Sequence, residues 1–306
     1  EDHGWSIVAT AVARMVGAII HRFGSDMLKR DVLPRLAAGE AVCSLGWSEP
    51  GAGSDVFAVQ TKATRKGDGW QIDGQKMFTS GADIADFVYM IVRTDPALPK
   101  HKGITMFIVP LDTPGITVQP VQSFQDEPTN ITFYDSVWVP DCYRLGEVNG
   151  GLEVMAATLE IEHSASYAKT LHRLLEAGEE LARELEENGR TLLETAHAQR
   201  TLARMFTQCQ LATVLNERML WAATEGRSVP ACGPMARLQS AEAFFTSACD
   251  LLDLTAPASL SRRSDPAAFI NQCYRHAHAA RIYGGSQEIQ RSQIAERHLG
   301  LPRTRG

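Results

Sequence analysis

The stretch that decides the fold is Trp47-Ser48-Glu49-Pro50-Gly51-Ala52-Gly53-Ser54-Asp55, where helical patterning gives way to strand patterning. Its proline and two glycines force a turn that brings backbone N–H groups outward. Ser48, Gly53 and Ser54 add small donors without bulk, so the loop can meet an oxygen-rich ligand. The same residues are also typical of a plain β-turn, and on their own they leave both interpretations open.

The chain before this loop has a helical pattern. Residues 8–16 contain no Gly or Pro and keep an apolar stripe, and Gly24-Ser25 ends that helix. A shorter helical run follows over residues 27–33. Because the first residues already lie inside helical sequence without a cap, we expect residues 1–41 to be the remainder of an N-terminal helical domain whose earlier helices are missing.

The chain after the loop changes character twice. Residues 42–149 alternate apolar and polar side chains with period two, and turn residues such as Pro114-Gly115 separate the runs. This pattern predicts a middle domain with an antiparallel sheet, and we expect it to form a small β-barrel. Residues 150–306 return to long helical patterns and predict a C-terminal helical bundle. Its expected helices span residues 150–187, 194–226, 232–255, 266–282 and 286–298.

Sheet and helices are therefore segregated along the chain, which favours an α+β multidomain fold over a Rossmann or TIM-barrel fold. The 306 residues, 44% of them hydrophobic, suffice for two or three domains. The net charge of −6 is interspersed, and the apolar runs are too short to span a bilayer, so we expect neither a nucleic-acid nor a membrane partner. The six cysteines show no metal-ligand spacing, so we expect reduced thiols, no metal site and a cytoplasmic protein.

A second segment, residues 73–81 (DGQKMFTSG), follows a predicted strand and places an aromatic residue two positions before a hydroxyl. If the strand continues, Phe78 and Ser80 face one way and Thr79 the other. An aromatic ring beside a hydroxyl donor suits a flat heterocycle. Packing in the core is the alternative for Phe78 taken alone.

Together these two segments resemble the acyl-CoA dehydrogenase family, whose middle domain carries a T/S-E-P-x-x-G-S-D loop and a G-x-K-x-W/F-I/T-T/S-N/G segment. Residues 132–140 (TFYDSVWVP), 150–152 (GGL) and 281–291 (RIYGGSQEIQR) extend the resemblance over essentially the whole chain, in family order. The resemblance implies the acyl-CoA dehydrogenase fold with FAD as cofactor. The residues that match flavin-ring positions are Leu45, Ser48, Phe78 and Ser80, and those that match positions facing the cofactor and the CoA chain are Gly53 and Ser54.

The implied activity is α,β-dehydrogenation of an acyl-CoA to the trans-2-enoyl-CoA, with electron-transferring flavoprotein as electron acceptor. A carboxylate must remove the α-proton beside a polarised carbonyl. Many members take this base from I-Y-E-G-T, but Gly284 stands at that position here. The family's second position for the base falls in residues 159–163 (LEIEH) and identifies Glu162 as the catalytic base.

Helix geometry separates Glu162 from its neighbours. At about 100° per residue, the residues on one predicted apolar stripe are Leu152, Met155, Leu159, Glu162 and Ser166. Glu153 and Glu160 fall on the opposite, wet face. A carboxylate on an apolar stripe is costly unless it is used or paired, so Glu162 is either a catalytic base or half of a buried ion pair with an arginine or His163.

The resemblance also implies roles for residues around the base. The backbone N–H of Gly284 polarises the thioester carbonyl, and Tyr283 lines the acyl pocket, although a core tyrosine is an equally good interpretation. Ser286 and Glu288 match cofactor contacts, and for Glu288 a plain surface residue remains the alternative. Two further matches, Leu159 and His163, lie beside the substrate; His163 replaces a family arginine near the pantetheine, which puts that contact in question.

Two family elements for the adenosine diphosphate half of FAD are missing. Residues 189–194 (GRTLLE) lack the R-x-x-F-G pattern, and residues 252–257 (LDLTAP) lack the Q-x-x-G-G-x-G pattern. Ala and Pro cannot replace a glycine pair close to a pyrophosphate. We therefore expect a homo- or heterotetramer in which a paralogous subunit supplies these contacts, as in actinobacterial steroid side-chain enzymes with sterol-derived CoA esters. The alternatives are a non-catalytic partner subunit and an oxygen-using oxidase or monooxygenase of the same fold.

Overall fold

The computed structural model describes residues 7–125, 128–162, 166–227, 229, 231–261 and 266–303, and the side chains of residues 7–11, 160, 162 and 223 lie outside that description. The first part of the chain is helical. The helices there are α1 (Ile7–Phe23) and α2 (Leu33–Ala38), and a π-helical turn at Leu28–Val32 leads into α2. The α1 helix covers the predicted helical run, and Gly39, with φ of 73°, ends α2 in the left-handed conformation.

Eight strands follow and form one sheet. They are β1 (Cys43–Gly46), β2 (Lys62–Lys66), β3 (Gly69–Lys76), β4 (Phe87–Arg93), β5 (Ile104–Pro110), β6 (Ile116–Val121), β7 (Thr129–Pro140) and β8 (Arg144–Leu145). Their order is β6-β7-β3-β2-β4-β5-β8, with β1 also paired to β4. The prediction of an antiparallel sheet is wrong at two pairings, because β1 and β2 both lie parallel to β4. The sheet is mixed, and its strand path is open between β6 and β8.

The strand β4 shows why the two-residue period matters. Phe87, Tyr89 and Ile91 point into the core that contains α1, whereas Val88 and Met90 point into a second core on the other face. All of these side chains are buried, so β4 has apolar neighbours on both faces. This double burial explains why its sequence is a continuous apolar run.

The first helix after the sheet is shorter than the sequence predicts. It is α3 (Gly151–Glu162), and Ser166 and Tyr167 are not helical, so a single helix over 150–187 is wrong. The predicted stripe is also wrong at Leu152, which is 41% exposed. Thr158 is buried instead and lies 2.7 Å from the hydroxyl of Tyr89. The tertiary contact with β4 therefore sets the buried face of α3.

The remaining elements build the helical part. They are α4 (Ala168–Glu184), β9 (Glu186–Glu187), β10 (Arg190–Thr191), α5 (Ala196–Thr224), α6 (Cys232–Leu254), α7 (Ala267–Ala280) and α8 (Gln287–Arg297). The last four helices agree with the predicted ones. Helices α4 and α6 approach closely, since a Cβ at Gly178 would meet Leu251 at 2.6 Å. The β9–β10 hairpin was not predicted, although its Asn188-Gly189 turn, with both φ values positive, is a hairpin signal.

The chain divides into two compact units. The sheet unit contains the described residues up to Ser123 and those from 128 to Ile161, so α1, α2 and most of α3 belong with the sheet. The helical unit contains Phe124, Gln125 and the described residues that follow Ile161. The division into three domains at residues 41 and 149 stays a prediction.

Candidate functional site

The loop at residues 47–55, which follows β1, is held in place by a buried ion pair. Lys76 Nζ lies 2.7 Å from Glu49 Oε1 and donates to Ile91 O at 2.6 Å, and both side chains are almost fully buried. The carboxylate also accepts the backbone N–H groups of Gln60 (2.5 Å) and Thr61 (3.0 Å). The pair therefore ties the turn after β1 to the end of β3.

Burial and pairing act in opposite directions on these two charges. Burial lowers the pKa of Lys76 to about 8, and the neighbouring Glu49 carboxylate acts against this decrease. Burial acts to raise the pKa of Glu49. The positive charge of Lys76 and the hydrogen bonds from Lys76, Gln60 and Thr61 act in the other direction and leave that pKa below its ordinary value. Both groups are therefore charged at neutral pH.

Phe78 follows this ion pair and has an unusual backbone. Its φ is 58°, in the left-handed region that a bulky residue rarely adopts, and its side chain is 63% exposed. Strand β3 has already ended at Lys76, so the prediction that Phe78 and Ser80 share a strand face is wrong. An exposed aromatic ring held in a strained conformation is a recurrent feature of ligand sites.

Two serines lie close to Phe78, Ser80 along the chain and Ser48 across the loop. The carbonyl of Ser48 accepts the N–H of Met77 at 2.9 Å, which brings the Ser48 turn beside the residue before Phe78. Ser48 and Ser80 are both half-buried, and Ser80 Oγ lies 3.1 Å from Thr129 Oγ1. The structure thus brings Ser48, Phe78 and Ser80 together near the end of strand β3, and we call this group of residues the Phe78 rim.

Three buried polar atoms belong to the segment that follows Phe78 or to residues near it. Ser44 Oγ, Thr79 Oγ1 and Asn130 Oδ1 are buried and meet no hydrogen-bond partner within the described residues. Buried polar atoms in folded proteins usually have partners, so these three atoms are exceptions among the described residues.

The other predicted site residues of the sheet unit differ in how exposed they are. Leu45 is a half-buried residue of β1 that packs against the core containing α1. Gly53 and Ser54 are exposed, and a Cβ added at Gly53 would meet nothing within 4 Å. Leu159 is half-buried in α3 and packs against the same core as Leu45. The segment around Gly53 is therefore accessible, whereas Leu45 and Leu159 are partly enclosed.

The second group of predicted residues lies between α7 and α8 in the helical unit. Gly284 and Gly285 both have left-handed backbones, with φ of 67° and 87°. The side-chain amide of Gln290 donates to Gly284 O at 3.0 Å and to Gly285 O at 3.3 Å. Only glycine adopts two such conformations in succession at little cost, so this turn would not hold a glutamate without strain.

Ser286 and Glu288 begin helix α8. The hydroxyl of Ser286 accepts the N–H of Ile289 and caps the helix. Hydrogen bonding from its own backbone N–H, followed by the Ser286 side chain, lowers the pKa of the exposed Glu288. Ser286 therefore caps α8, and Glu288 presents an ionised carboxylate to solvent.

Sequence reasoning missed the residues that hold Tyr283. The hydroxyl of Tyr283 lies 2.5 Å from that of Tyr167 and 3.0 Å from His276 Nε2. Arg237 donates from Nη2 to the backbone carbonyl of Tyr283 at 3.0 Å, and its guanidinium lies over the rings of both tyrosines. These residues lie in separate segments of the chain, with Tyr167 just before α4, Arg237 in α6 and His276 in α7, so no local pattern could have found them.

Two predicted site residues, Glu162 and His163, have side chains outside the described part of the structure. The Glu162 backbone forms the last residue of α3, while its side chain lies outside the described residues. His163 lies outside them entirely. The predicted roles of both residues therefore stay predictions.

Three further findings concern the kind of site. Among the described residues, no group of three His, Cys, Asp or Glu side chains is arranged to hold a metal ion. In the same part of the chain, no helix has the length and apolar character to cross a membrane. The six cysteines are free thiols, and burial raises the pKa of Cys209 to about 11 and that of Cys273 to about 12.

Comparisons with known proteins identify the family of both parts of the chain. Residues 44–135 match the family model for the acyl-CoA dehydrogenase middle domain, and residues 149–299 match the model for its C-terminal domain. The acyl-CoA dehydrogenase FadE26 of Mycobacterium tuberculosis is 34% identical over 304 residues, which cover 94% of this chain and 75% of FadE26.

Two solved structures are similar over nearly the whole chain. The Tcur3481-Tcur3483 steroid ACAD has a TM-score of 0.89 at 32% identity and covers 97% of this chain and 77% of its own. The ChsE4-ChsE5 complex of Mycobacterium tuberculosis has a TM-score of 0.86 at 32% identity, with coverage of 94% and 76%. Both are assemblies of two differently named chains.

Proposed function

The chain belongs to the acyl-CoA dehydrogenase family of flavin-dependent oxidoreductases, and from that premise we propose that it oxidises an acyl-CoA thioester to the trans-2-enoyl-CoA with bound FAD. The observation that carries the proposal is the Phe78 rim. A 63% exposed aromatic ring on a left-handed backbone, beside half-buried hydroxyls, fits a flat heterocycle with a polar edge. Bound FAD supplies a two-electron acceptor for the hydride that leaves the β-carbon of the acyl group.

We propose that the ring system of FAD contacts four residues of the sheet unit. Phe78 provides an aromatic face, Ser48 and Ser80 provide hydroxyl donors, and Leu45 provides a partly enclosed apolar surface. Gly53 and Ser54, which are exposed, meet the cofactor and the CoA chain. The buried Glu49–Lys76 pair holds the turn at Ser48 next to Met77, the residue before Phe78.

The proton that leaves the α-carbon requires a base of this chain. We assign it to Glu162 because α3 ends at this residue and because Gly284 stands where other family members carry their glutamate. Ile161, the residue before it, packs against the core of the sheet unit and anchors the end of the helix. The proposal therefore places the base directly after an anchored residue of α3.

The negative charge that develops on the thioester oxygen requires donors. The backbone N–H of Gly284 is our candidate, since the Gly284-Gly285 turn is ordered by the amide of Gln290. A backbone N–H fixed before the reaction stabilises such a charge without reorganisation. Tyr283, 43% exposed, lines the acyl pocket, and Leu159 and His163 complete the substrate side. Ser286 and Glu288 are assigned to the cofactor, the latter through its ionised carboxylate.

Anaerobic mixing with acyl-CoA tests these assignments. We expect the flavin absorbance of the wild-type protein to bleach with octanoyl-CoA or with a sterol side-chain CoA ester. Glu162→Gln abolishes the bleaching, whereas Glu153→Gln, on an exposed position of the same helix, leaves it intact. Equal bleaching by wild type and Glu162→Gln would mean that another group removes the proton.

We further propose that a paralogous subunit completes the cofactor site. Residues 252–257 close α6 with Ala256-Pro257 where homotetrameric relatives place a glycine pair, and Thr255 is fully buried there. The similarity to two assemblies of differently named chains supports this arrangement. We also propose that the acyl group is derived from a steroid. The protein would act in the cytoplasm, with electron-transferring flavoprotein as its electron acceptor. A stable homotetramer with one FAD per subunit, purified without a second chain, would contradict it.

The same features support a second candidate, a partner subunit without catalytic activity. Gly284 and the missing glycine pair favour it, and a carboxylate at the end of α3 favours catalysis. The comparisons with dehydrogenases do not favour the oxygen-using alternative. Bleaching by the assembled protein that depends on Glu162 would exclude a non-catalytic role.

A further inference from the structure

The peptide between Tyr283 and Gly284 is held from its carbonyl side. Arg237 Nη2 donates to Tyr283 O at 3.0 Å. In a trans peptide the C=O and the following N–H lie in one plane and point in opposite directions. The hydrogen bond from Arg237 therefore also fixes the direction of the N–H of Gly284.

The guanidinium of Arg237 is itself closely positioned. The residue is only 8% exposed, and its Cζ lies 4.8 Å from the centroid of the Tyr167 ring and 5.1 Å from that of the Tyr283 ring. A planar cation over aromatic faces has a defined orientation, unlike the mobile ammonium of a lysine. Burial of such a charge is costly, and the hydrogen bond to the Tyr283 carbonyl and the two aromatic faces offset part of this cost.

The Tyr283 side chain is held independently of its carbonyl. Its hydroxyl lies between that of Tyr167 and Nε2 of His276. The Tyr167 ring stacks on Phe244 with 5.0 Å between centroids and 17° between planes. Burial raises the pKa of Tyr167 well above its ordinary value, so its phenol stays neutral and able to donate. Tyr283 is thus fixed at two points immediately before the left-handed Gly284.

We propose that Arg237 is a positioning residue that aims the N–H of Gly284 at the thioester carbonyl of the substrate and strengthens it as a donor. The inference rests on the proposed function, in which this N–H polarises that carbonyl. A cation bonded to the carbonyl oxygen of a peptide draws electron density from its nitrogen, so the N–H becomes more acidic and its hydrogen bond stronger. Arg237 thus acts on the substrate through one peptide without touching it.

The test uses the flavin-loaded assembly and a readout that does not require turnover. The carbonyl stretch of trans-2-octenoyl-CoA, labelled with carbon-13 at the carbonyl, is measured by difference infrared spectroscopy in the bound and free states. The variants are Arg237→Met, which removes the donor, and Arg237→Lys, which keeps a cation without the planar stack. Arg173→Met is the matched control, because Arg173 lies 4.8 Å over the ring of Phe269 elsewhere in the helical unit.

We expect the wild-type protein and the Arg173→Met control to shift the carbonyl band to lower frequency on binding. Arg237→Met loses most of this shift, and its kcat with octanoyl-CoA falls about tenfold to hundredfold while KM changes less than about threefold. Arg237→Lys restores part of both quantities. A merely structural role would lower the flavin content and leave the carbonyl band of the loaded protein unchanged.

Two results would overturn the inference. One is a bound carbonyl band in Arg237→Met that equals that of the wild type, and the other is an increase in KM with kcat unchanged. Failure of the proposed function is distinguishable, since it would appear as a wild-type protein that binds the enoyl-CoA but does not bleach with any acyl-CoA. Tyr283→Phe separates the two fixation points, because it removes the hydroxyl contacts and keeps the carbonyl that Arg237 binds; we expect a smaller effect on the carbonyl band.

Discussion

The buried Glu49–Lys76 pair offers a quantitative test of how the Phe78 rim is supported. In Lys76→Met the apolar stem is replaced at similar volume, and Glu49 remains as a carboxylate whose side chain is 4% exposed. Its two backbone donors, Gln60 and Thr61, stay in place. Removing one partner of a buried ion pair costs about 3–5 kcal/mol because the other charge is left uncompensated. We expect the free energy of unfolding of the sheet unit to fall by that amount.

The double variant Glu49→Gln/Lys76→Met distinguishes lost charge pairing from lost shape. Its glutamine oxygen still accepts the N–H groups of Gln60 and Thr61, and the main loss is the donor to Ile91 O. One lost hydrogen bond to a buried acceptor costs about 1–2 kcal/mol. The double variant should therefore be more stable than Lys76→Met alone by roughly 2 kcal/mol.

Urea unfolding followed by tryptophan fluorescence measures these differences, since Trp47, Trp70 and Trp138 all lie in the sheet unit. The pH dependence of the stability difference between Lys76→Met and the wild type gives a second test. Without Lys76, burial raises the pKa of Glu49 above its value in the unfolded chain. The loss of stability in Lys76→Met is therefore largest where the Glu49 carboxyl is ionised, and it becomes smaller as that carboxyl is protonated. We expect a smaller deficit at about pH 5 than at about pH 7.5. A double variant less stable than Lys76→Met, or a single variant within about 1 kcal/mol of the wild type, would refute the reasoning.

Three further variants test separate parts of the structure. Phe78→Ala should lower flavin affinity about tenfold or more with little change in urea midpoint, because the ring is 63% exposed; unchanged affinity by titration would contradict its role. Hydrogen bonding from Arg144 is the first cause that lowers the pKa of Asp141 to about 2. Because solvent screens this partly exposed carboxylate, Asp141→Asn should remove about 1 kcal/mol of stability, which the wild type has above about pH 4 and loses as the pH falls towards about 2. A variant with an equal loss at about pH 2 and pH 6 would show another cause. Gly285→Ala places a Cβ 2.7 Å from the Gln290 amide at φ of 87°, and thermal unfolding should show destabilisation by about 1–2 kcal/mol.

Most residues of the candidate site could be proposed from the sequence alone, because they lie in short, continuous segments. Ser48, Gly53 and Ser54 come from one loop, and Phe78 and Ser80 come from the next segment. Matching such segments to a family requires no knowledge of how they meet. The structure then showed that the Ser48 turn lies beside Met77 and that Phe78 is left-handed, which alternation along a strand could not predict.

The helices of the C-terminal part were predictable for a similar reason. Helices α5 to α8 follow from apolar periodicity and from breakers such as Gly226 and Ala256-Pro257, which act within a few residues. The buried face of α3 was not predictable in the same way. Leu152 fits an ideal stripe but is exposed, whereas Thr158 is buried against Tyr89, 69 residues earlier.

The sequence by itself thus determined the segregation of sheet and helices, the loop at residues 47–55 and the family to which the chain belongs. These properties depend on side-chain periodicity and on backbone preferences that act over a few residues. Only the tertiary structure decided the parallel pairing of β1 and β2 with β4, the Glu49–Lys76 pair and the hold of Arg237 on the Tyr283 carbonyl. Each of these joins positions that are far apart in the chain, and their geometry is fixed by how whole elements pack and by the cost of burying a charge without a partner.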